Sequence, residues 1–340
     1  MTPTTTFSPL PTARPYWGRA VVTGGAGFIG SHLCERLLDS GIDVDCVDDL
    51  RSGSVADIAH LTGRPGFRFV ECDIARPESR DALAGPYDVV LHFAGPASPA
   101  DARGRALETI AACGLGTRNA LAVADRDGAR FLLGSSCQVY GDPAVHPQRE
   151  DHWGDVDPVG PHSAYAESKR FAEALTTAHA SARCTDAGIV RVFTTYGPRM
   201  RADGRQAIPT FIRQALAGEP VTIEGDGRQT RSLCYVDDTV DGILRVAASR
   251  SVRPVNIGGD EETTVEEIAR RVIALTGSDS RLTFVDRDPG DPARRRPDTT
   301  LARELFGWVP KVTWEEGLKL TIAAFTDRMP EPVVHGGGAR

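Results

Sequence analysis

Tyr165-Ala-Glu-Ser-Lys169 sets a phenol and an ammonium four residues apart. On a helix that spacing puts both side chains on one face. An ammonium beside a phenol favours the phenolate and lowers its pKa. A base poised in this way could take a proton from an alcohol, such as a sugar hydroxyl, while hydride passes to a nicotinamide. The same four-residue spacing also describes a surface tyrosine above an exposed lysine, so it needs companions.

The companions lie near the start of the chain. Thr23-Gly24-Gly25-Ala26-Gly27-Phe28-Ile29-Gly30 follows an apolar run and opens a helical pattern. Glycines at this spacing permit a tight turn, close backbone approach to a pyrophosphate, and close packing of helix on strand. The helix N-terminus then offers free N–H groups to phosphate oxygens. The next strand ends at Asp48, 18 residues after Gly30. An acidic side chain there is placed to accept hydrogen bonds from an adenosine ribose and to repel a 2′-phosphate, which favours NAD over NADP. Arg51 points the other way, since it could pair with such a phosphate; an exposed loop arginine is the plainer reading.

Elements must carry these groups. Short apolar runs alternate with helical patterns: strands at Ala20–Thr23, Val44–Val47, Phe67–Val70, Asp88–Ala94, Arg130–Gly134 and Gly188–Val192. Between them lie helices at Phe28–Ser40, Ala106–Ala124 and Ser163–Ser181. The alternation predicts right-handed βαβ units, hence an α/β fold: a Rossmann-type parallel sheet with helices on both faces. Beyond residue 194 the pattern loosens into helices near 207–217, 238–249, 264–276 and 314–326 with short strands such as Pro254–Ile257. It reads as a smaller, mixed α/β, C-terminal substrate lobe. The expected organisation is a flexible tail at 1–18, the dinucleotide domain at 19–193, the lobe at 194–328 (some of its segments returning to the sheet), and a second tail at 329–340.

Composition sets outer bounds. The chain has 340 residues and a formal net charge of −7. That acidity argues against a nucleic-acid binder working by general charge. No apolar run approaches the ~20 residues of a membrane helix, and the Thr- and Pro-rich start is unlike a signal peptide. The seven cysteines form no CxxC pair, which suggests neither a metal site nor a disulfide framework, and a reducing cytoplasm is the simplest expectation.

With these residues in place, the chain resembles the extended short-chain dehydrogenase/reductase family of NAD-dependent epimerases and dehydratases. Within that family the likeness is greatest to the UDP-glucuronate decarboxylases. It runs from about residue 18 to 327 and is carried by His92-Phe-Ala-Gly-Pro-Ala-Ser-Pro99, Val139-Tyr-Gly-Asp-Pro143, His146-Pro-Gln148 and Gly197-Pro-Arg-Met200. Further motifs are Gly225-Asp-Gly-Arg-Gln-Thr-Arg231, Tyr235-Val-Asp237 and Asp291-Pro-Ala-Arg-Arg-Arg-Pro-Asp298. The resemblance implies an NAD site built from Gly24, Gly27, Phe28, Ile29, Gly30, Asp48, Asp49, Ser52, Gly53, Asp73, Ile74, Phe93, Ala94, Gly95 and Ala97. It implies Tyr165 and Lys169 as the oxidising pair, also against the cofactor, and Ser136 as the hydroxyl that orients the sugar. It implies substrate contacts from Pro96, Thr194 and Arg199, with Arg231 on a diphosphate and Arg295 facing a sugar carboxylate. Without the family, Arg294–Arg296 would read as a solvated charge run. The resemblance also implies a homodimer, through the helices at 106–124 and 163–181, and a nucleotide-sugar or nucleoside substrate.

The reactive centre departs from the family pattern. Ser135-Ser136-Cys137-Gln138 stands where relatives carry Ser-Thr-Ser-Glu. Gln138 cannot ionise, so an acid–base duty of that glutamate is lost. Cys137 is either a proton donor or a small buried filler. Ala102, Cys113 and Thr194 replace a family tyrosine and two asparagines. The opening oxidation at C4 is therefore expected to be shared, and three fates of the 4-ketone stay open: decarboxylation, C4 epimerisation, or dehydration with Cys137 as acid. A cofactor-binding scaffold or sensor without catalysis is the alternative of a different class.

Overall fold

Strand β1 (Arg19–Thr23) leads directly into the glycine turn, so its neighbours decide where that turn sits. The other strands of its sheet are β2 (Asp43–Asp48), β3 (Phe67–Glu71), β4 (Val89–His92), β5 (Arg130–Ser136), β6 (Ala187–Val192) and β7 (Pro254–Ile257). Every pairing is parallel, and the spatial order is β7-β6-β5-β4-β1-β2-β3. The structure is a computed structural model and describes residues 17–96, 99–202, 204, 206–288 and 290–328. Most of the tail expected at 1–18, all of that at 329–340, and Ala97 lie outside the described residues.

Alternate residues of each strand face opposite layers. Val22, Val44 and Leu91 pack in one core with helix α1 (Phe28–Asp39) and the later helix Val236–Ala248. Val21, Val90 and Phe131 pack in the other with helices α2 (Thr117–Asp127) and α3 (Ser163–Arg183). Both faces are thus covered, which explains the near-continuous apolar strands. The expected helix at 106–124 is present as Ala106–Ala111, a π turn at Ala112–Gly116, and α2. Strand β7 comes from residues beyond 194, so part of the C-terminal half does return to the sheet.

Chain order runs outward from β1 to β3, then restarts at β4 on the other side of β1. The carboxyl ends of β1 and β4 therefore open a crevice at the topological switch point, where doubly wound sheets hold dinucleotides. Three short strands border it from the C-terminal half. Thr230–Ser232 pairs antiparallel with Glu262–Thr264 and parallel with Arg294–Arg295.

Candidate active site

One groove of about 1020 Å³ runs across the carboxyl ends of the strands. Its floor is the glycine turn. Gly24 has φ +72°, and a Cβ there would lie 2.7 Å from the Phe93 carbonyl at the end of β4. A Cβ on Gly30 would collide with the Gly24 carbonyl. Helix α1 starts at Phe28 after Gly27, with no side-chain cap and no acidic residue in its first turn. Its leading N–H groups are left for an anion. Gly24, Gly27, Phe28, Ile29 and Gly30 all line the groove, a cradle that fits the diphosphate of NAD.

Asp48 ends β2 with its carboxylate accepting from the Ala26 amide at 3.0 Å and the Leu50 amide at 2.9 Å. Burial raises its pKa while those amides oppose the rise. Each oxygen keeps a lone pair for a ribose hydroxyl. Gly53 backs this carboxylate, since a Cβ there would sit 2.7 Å from Asp48 Oδ1. Asp49, Ser52, Asp73 and Ile74 line the same end. Arg51 is held between Asp49 at 3.1 Å and Asp73 at 3.2 Å. A 2′-phosphate would have to compete with two carboxylates for it, so the contrary sign read from Arg51 resolves in favour of NAD.

The reactive centre forms where β5 meets α3. Tyr165, Lys169, Ser136, Cys137 and Gln138 share the groove with Phe93, Ala94, Gly95 and Pro96. Lys169 Nζ lies 6.0 Å from the centre of the Tyr165 ring and donates to the Gly134 carbonyl at 2.8 Å. Ser136 favours the ionised form of the phenol. Lys169 lowers the pKa of this phenol, as an adjacent ammonium should. Burial dominates and pushes the phenol up, while Lys169 and Ser136 pull it back.

The far wall carries the arginines. Arg295 lies opposite Arg231 in the paired short strands. Arg231 donates to Asp291 and to the carbonyls of Thr230 and Pro292. Burial lowers its pKa and the adjacent Arg295 lowers it further, against the support of Asp291. Arg295 is only 7% exposed. Among the described residues its one hydrogen bond goes to Gln138 Oε1 at 3.2 Å, and it has no carboxylate partner. Arg294 is exposed and pairs with Glu262. The charge run is thus solvated at one position and turned inward at the next.

Thr194 lines the groove. Arg199 does not. Its guanidinium contacts Glu35 and, at 3.4 Å, Ser31 of α1, on the outer side of the glycine turn. Ala102 is buried away from the groove, and Cys113 lies behind Gly95. Sequence reasoning missed the wall formed by Ala207, Ile208 and Phe211, and by Thr222, Glu224 and Val285. No local pattern marks these residues, because folding brings them in from separate elements.

The comparisons agree with this geometry. The family described as "NAD dependent epimerase/dehydratase family" matches residues 20–258. UDP-glucuronic acid decarboxylase 6 of Arabidopsis thaliana is 40% identical over 338 residues, 97% of this chain and 97% of that protein. UDP-glucuronic acid decarboxylase 1 of Danio rerio is 41% identical over 308 residues, 91% of this chain and 72% of that protein. The crystal structure of UDP-glucuronic acid 4-epimerase from Bacillus cereus, in complex with UDP-glucuronic acid and NAD, superposes with TM-score 0.82 at 28% identity, covering 91% of this chain and 99% of that one. A glycine cradle shaped for a diphosphate, Asp48 at the strand end and a buried Tyr165–Lys169 pair occur together with these matches, and the chain belongs to the NAD-dependent epimerase/dehydratase family, as an enzyme of the NAD-using decarboxylase, epimerase and dehydratase kind.

Proposed function

We propose that this enzyme removes the carboxyl group of a nucleotide-linked uronic acid, UDP-glucuronate, through a transient 4-ketone. The observation that carries the reading is Arg295: a buried cation beside the reactive centre with no carboxylate of its own among the described residues. Burying such a charge is costly unless a ligand pairs with it, and a sugar carboxylate is the matching partner.

Bound NAD supplies the acceptor, and later the donor, of the C4 hydride. Ser136 orients the C4 hydroxyl, and Tyr165 takes its proton and returns it at the end. Lys169 steadies the phenolate. Arg295 holds the carboxylate next to the new ketone, which makes the sugar a β-keto acid. The C5–C6 bond then breaks, and its electron pair passes to C5 as carbon dioxide leaves. C5 takes its replacement proton from water, because the Gln138 amide does not ionise in this range and cannot supply it. Arg231 faces the diphosphate end.

Epimerisation at C4 is the second reading, favoured by the relative crystallised with UDP-glucuronic acid. It needs the same Tyr165 step and no acid at position 138. Incubation with UDP-glucuronate and a panel of other sugar nucleotides in deuterated water, read by mass and NMR, decides between them. Lost carbon dioxide supports decarboxylation. Unchanged mass with inverted C4 selects epimerisation, and lost water selects dehydration. Turnover of another sugar nucleotide with UDP-glucuronate untouched overturns both uronate readings.

The homodimer also rests on a specific surface. Leu107, Ile110 and Phe171 are 80%, 51% and 56% exposed. A Cβ on Gly114 would lie 3.4 Å from the Phe171 ring, so the two helical segments adjoin and their exposed apolar groups form one face. A second copy is its occupant in this reading. Light scattering should give a dimer mass for the wild type and a monomer mass for Ile110→Arg with Phe171→Arg; a monomeric wild type would refute it. Cytoplasmic placement is supported by seven unbridged cysteines, five of them buried. No helix among the described residues is long and apolar enough to cross a membrane.

A further inference from the structure

Two consecutive residues of β5 hold two residues of α3. The Gly134 carbonyl accepts from Lys169 Nζ at 2.8 Å. Ser135 Oγ donates to Glu173 Oε1 at 2.6 Å. The next residue, Ser136, lines the groove with Tyr165. Tyr165, Lys169 and Glu173 follow at four-residue steps, so they form one stripe along the helix. The stripe that carries the reactive pair is therefore fixed to β5 by two rungs, at Lys169 and at Glu173.

The Glu173 rung is locked from behind. Arg191 on β6 reaches Glu173 with two parallel bonds, Nε at 2.9 Å and Nη2 at 2.7 Å. The side chains are 10% and 12% exposed. Arg191 also donates to the Tyr140 hydroxyl at 2.8 Å, and that hydroxyl donates to Asn256 Oδ1 on β7 at 2.8 Å. Asn256 Nδ2 donates to the Gln148 carbonyl at 3.0 Å. Gln148 Oε1 accepts from the Arg296 amide at 2.8 Å, next to Arg295. One polar chain thus runs from the helix of the base to the segment that carries the carboxylate-facing arginine.

We propose that Glu173, locked by Arg191, is a positioning residue: it sets the rotation and height of α3 against β5, and so the point where the Tyr165 oxygen meets the sugar hydroxyl. Neither Glu173 nor Arg191 lines the groove, so neither touches substrate. A buried ion pair adds little stability over well-packed apolar side chains, but its bidentate geometry allows one arrangement. The proposal rests on Tyr165 as the base and is indifferent to which sugar is bound.

The test uses the full chain with NAD and whichever sugar nucleotide the wild type oxidises, UDP-glucuronate on the reading above. Glu173→Gln should lower kcat ~10- to 100-fold with KM within about twofold, because a small displacement of a base is felt in the transition state. The primary isotope effect with substrate deuterated at C4 should rise. Ser135→Ala cuts the rung and spares the ion pair; it should keep the wild-type Tm and lower kcat. Glu173→Met combined with Arg191→Met separates positioning from stability: Tm should return towards the wild-type value while kcat stays low. If the paired variant regains wild-type kcat together with Tm, the ion pair is structural only and the proposal is wrong. It is equally wrong if Ser135→Ala and Glu173→Gln leave kcat and the isotope effect unchanged. Turnover of a different sugar nucleotide by the wild type with UDP-glucuronate untouched would remove the decarboxylase reading and leave this test in force.

Discussion

Tyr165 sits between opposing influences: burial favours the neutral phenol, and Lys169 with Ser136 favours the phenolate. In its proposed role as base Tyr165 works deprotonated, so turnover should rise with pH, about tenfold per unit below its pKa. Lys169→Met removes a downward pull. The pH at which kcat/KM levels off should move upward, and the rate at pH 7 should fall at least ~10-fold. A pH–rate profile with an unmoved inflection would refute the assignment of this lysine. The same residue scale shows why Cys137 and Gln138 stayed ambiguous in sequence. Their roles depend on what they face, and Gln138 faces Arg295.

Among the elements, the three short strands at the far wall matter most, because they place Arg231 beside Arg295. Glu262 anchors them. Burial pushes its carboxyl up, but hydrogen bonds from Arg294, Thr230 and His146 outweigh that and hold it at about 2. A depressed carboxyl stabilises the fold above its ordinary value of 4.5 and loses that contribution as pH falls through about 2. Glu262→Gln should therefore cost about 1–2 kcal/mol at neutral pH. The deficit should shrink as acid is added, and KM for the sugar nucleotide should rise as the arginines loosen. Thermal unfolding at neutral pH and near pH 3 checks this; an equal deficit at both would count against it. The capping box of Thr264 and Glu267 that opens the next helix is a local signal of the kind sequence reading can find. The register of Arg295 against Arg231 is not, since these residues are far apart in the chain.

At the scale of the whole molecule, the two halves are clipped together through the Gly197-Pro-Arg-Met200 turn. Arg199 adopts φ +67°, a left-handed conformation that costs free energy outside glycine. Its guanidinium is held by Glu35 and Ser31 of α1. His32 on the same helix meets the Pro198 carbonyl at 3.0 Å. Burial first, then Arg199, pushes the His32 pKa down to about 3, so at neutral pH the ring is uncharged and donates to that carbonyl. Met200 and Ala202, just beyond, line the groove. Helix α1, whose glycine turn fits a diphosphate, thus braces a wall of the groove. Arg199→Ala should raise KM for the sugar nucleotide roughly three- to tenfold and weaken retention of NAD, with a smaller change in kcat. Unchanged binding of both would leave Arg199 without this role.

Signals that repeat over a few residues were readable without coordinates: the glycine turn after a strand, Asp48 at the end of the next, the Tyr165–Lys169 step on a helix, and the alternation that builds a parallel sheet. Each follows from local backbone geometry, whose periods are written into neighbouring residues. Tertiary packing decided the rest. It turned Arg295 inward and Arg294 outward, carried Arg199 behind α1, gathered the groove wall from distant segments, and set burial against the pull of Lys169 on the Tyr165 phenol. Burial and long-range pairing are properties of the packed molecule, because water is excluded from a side chain only by residues remote in the chain.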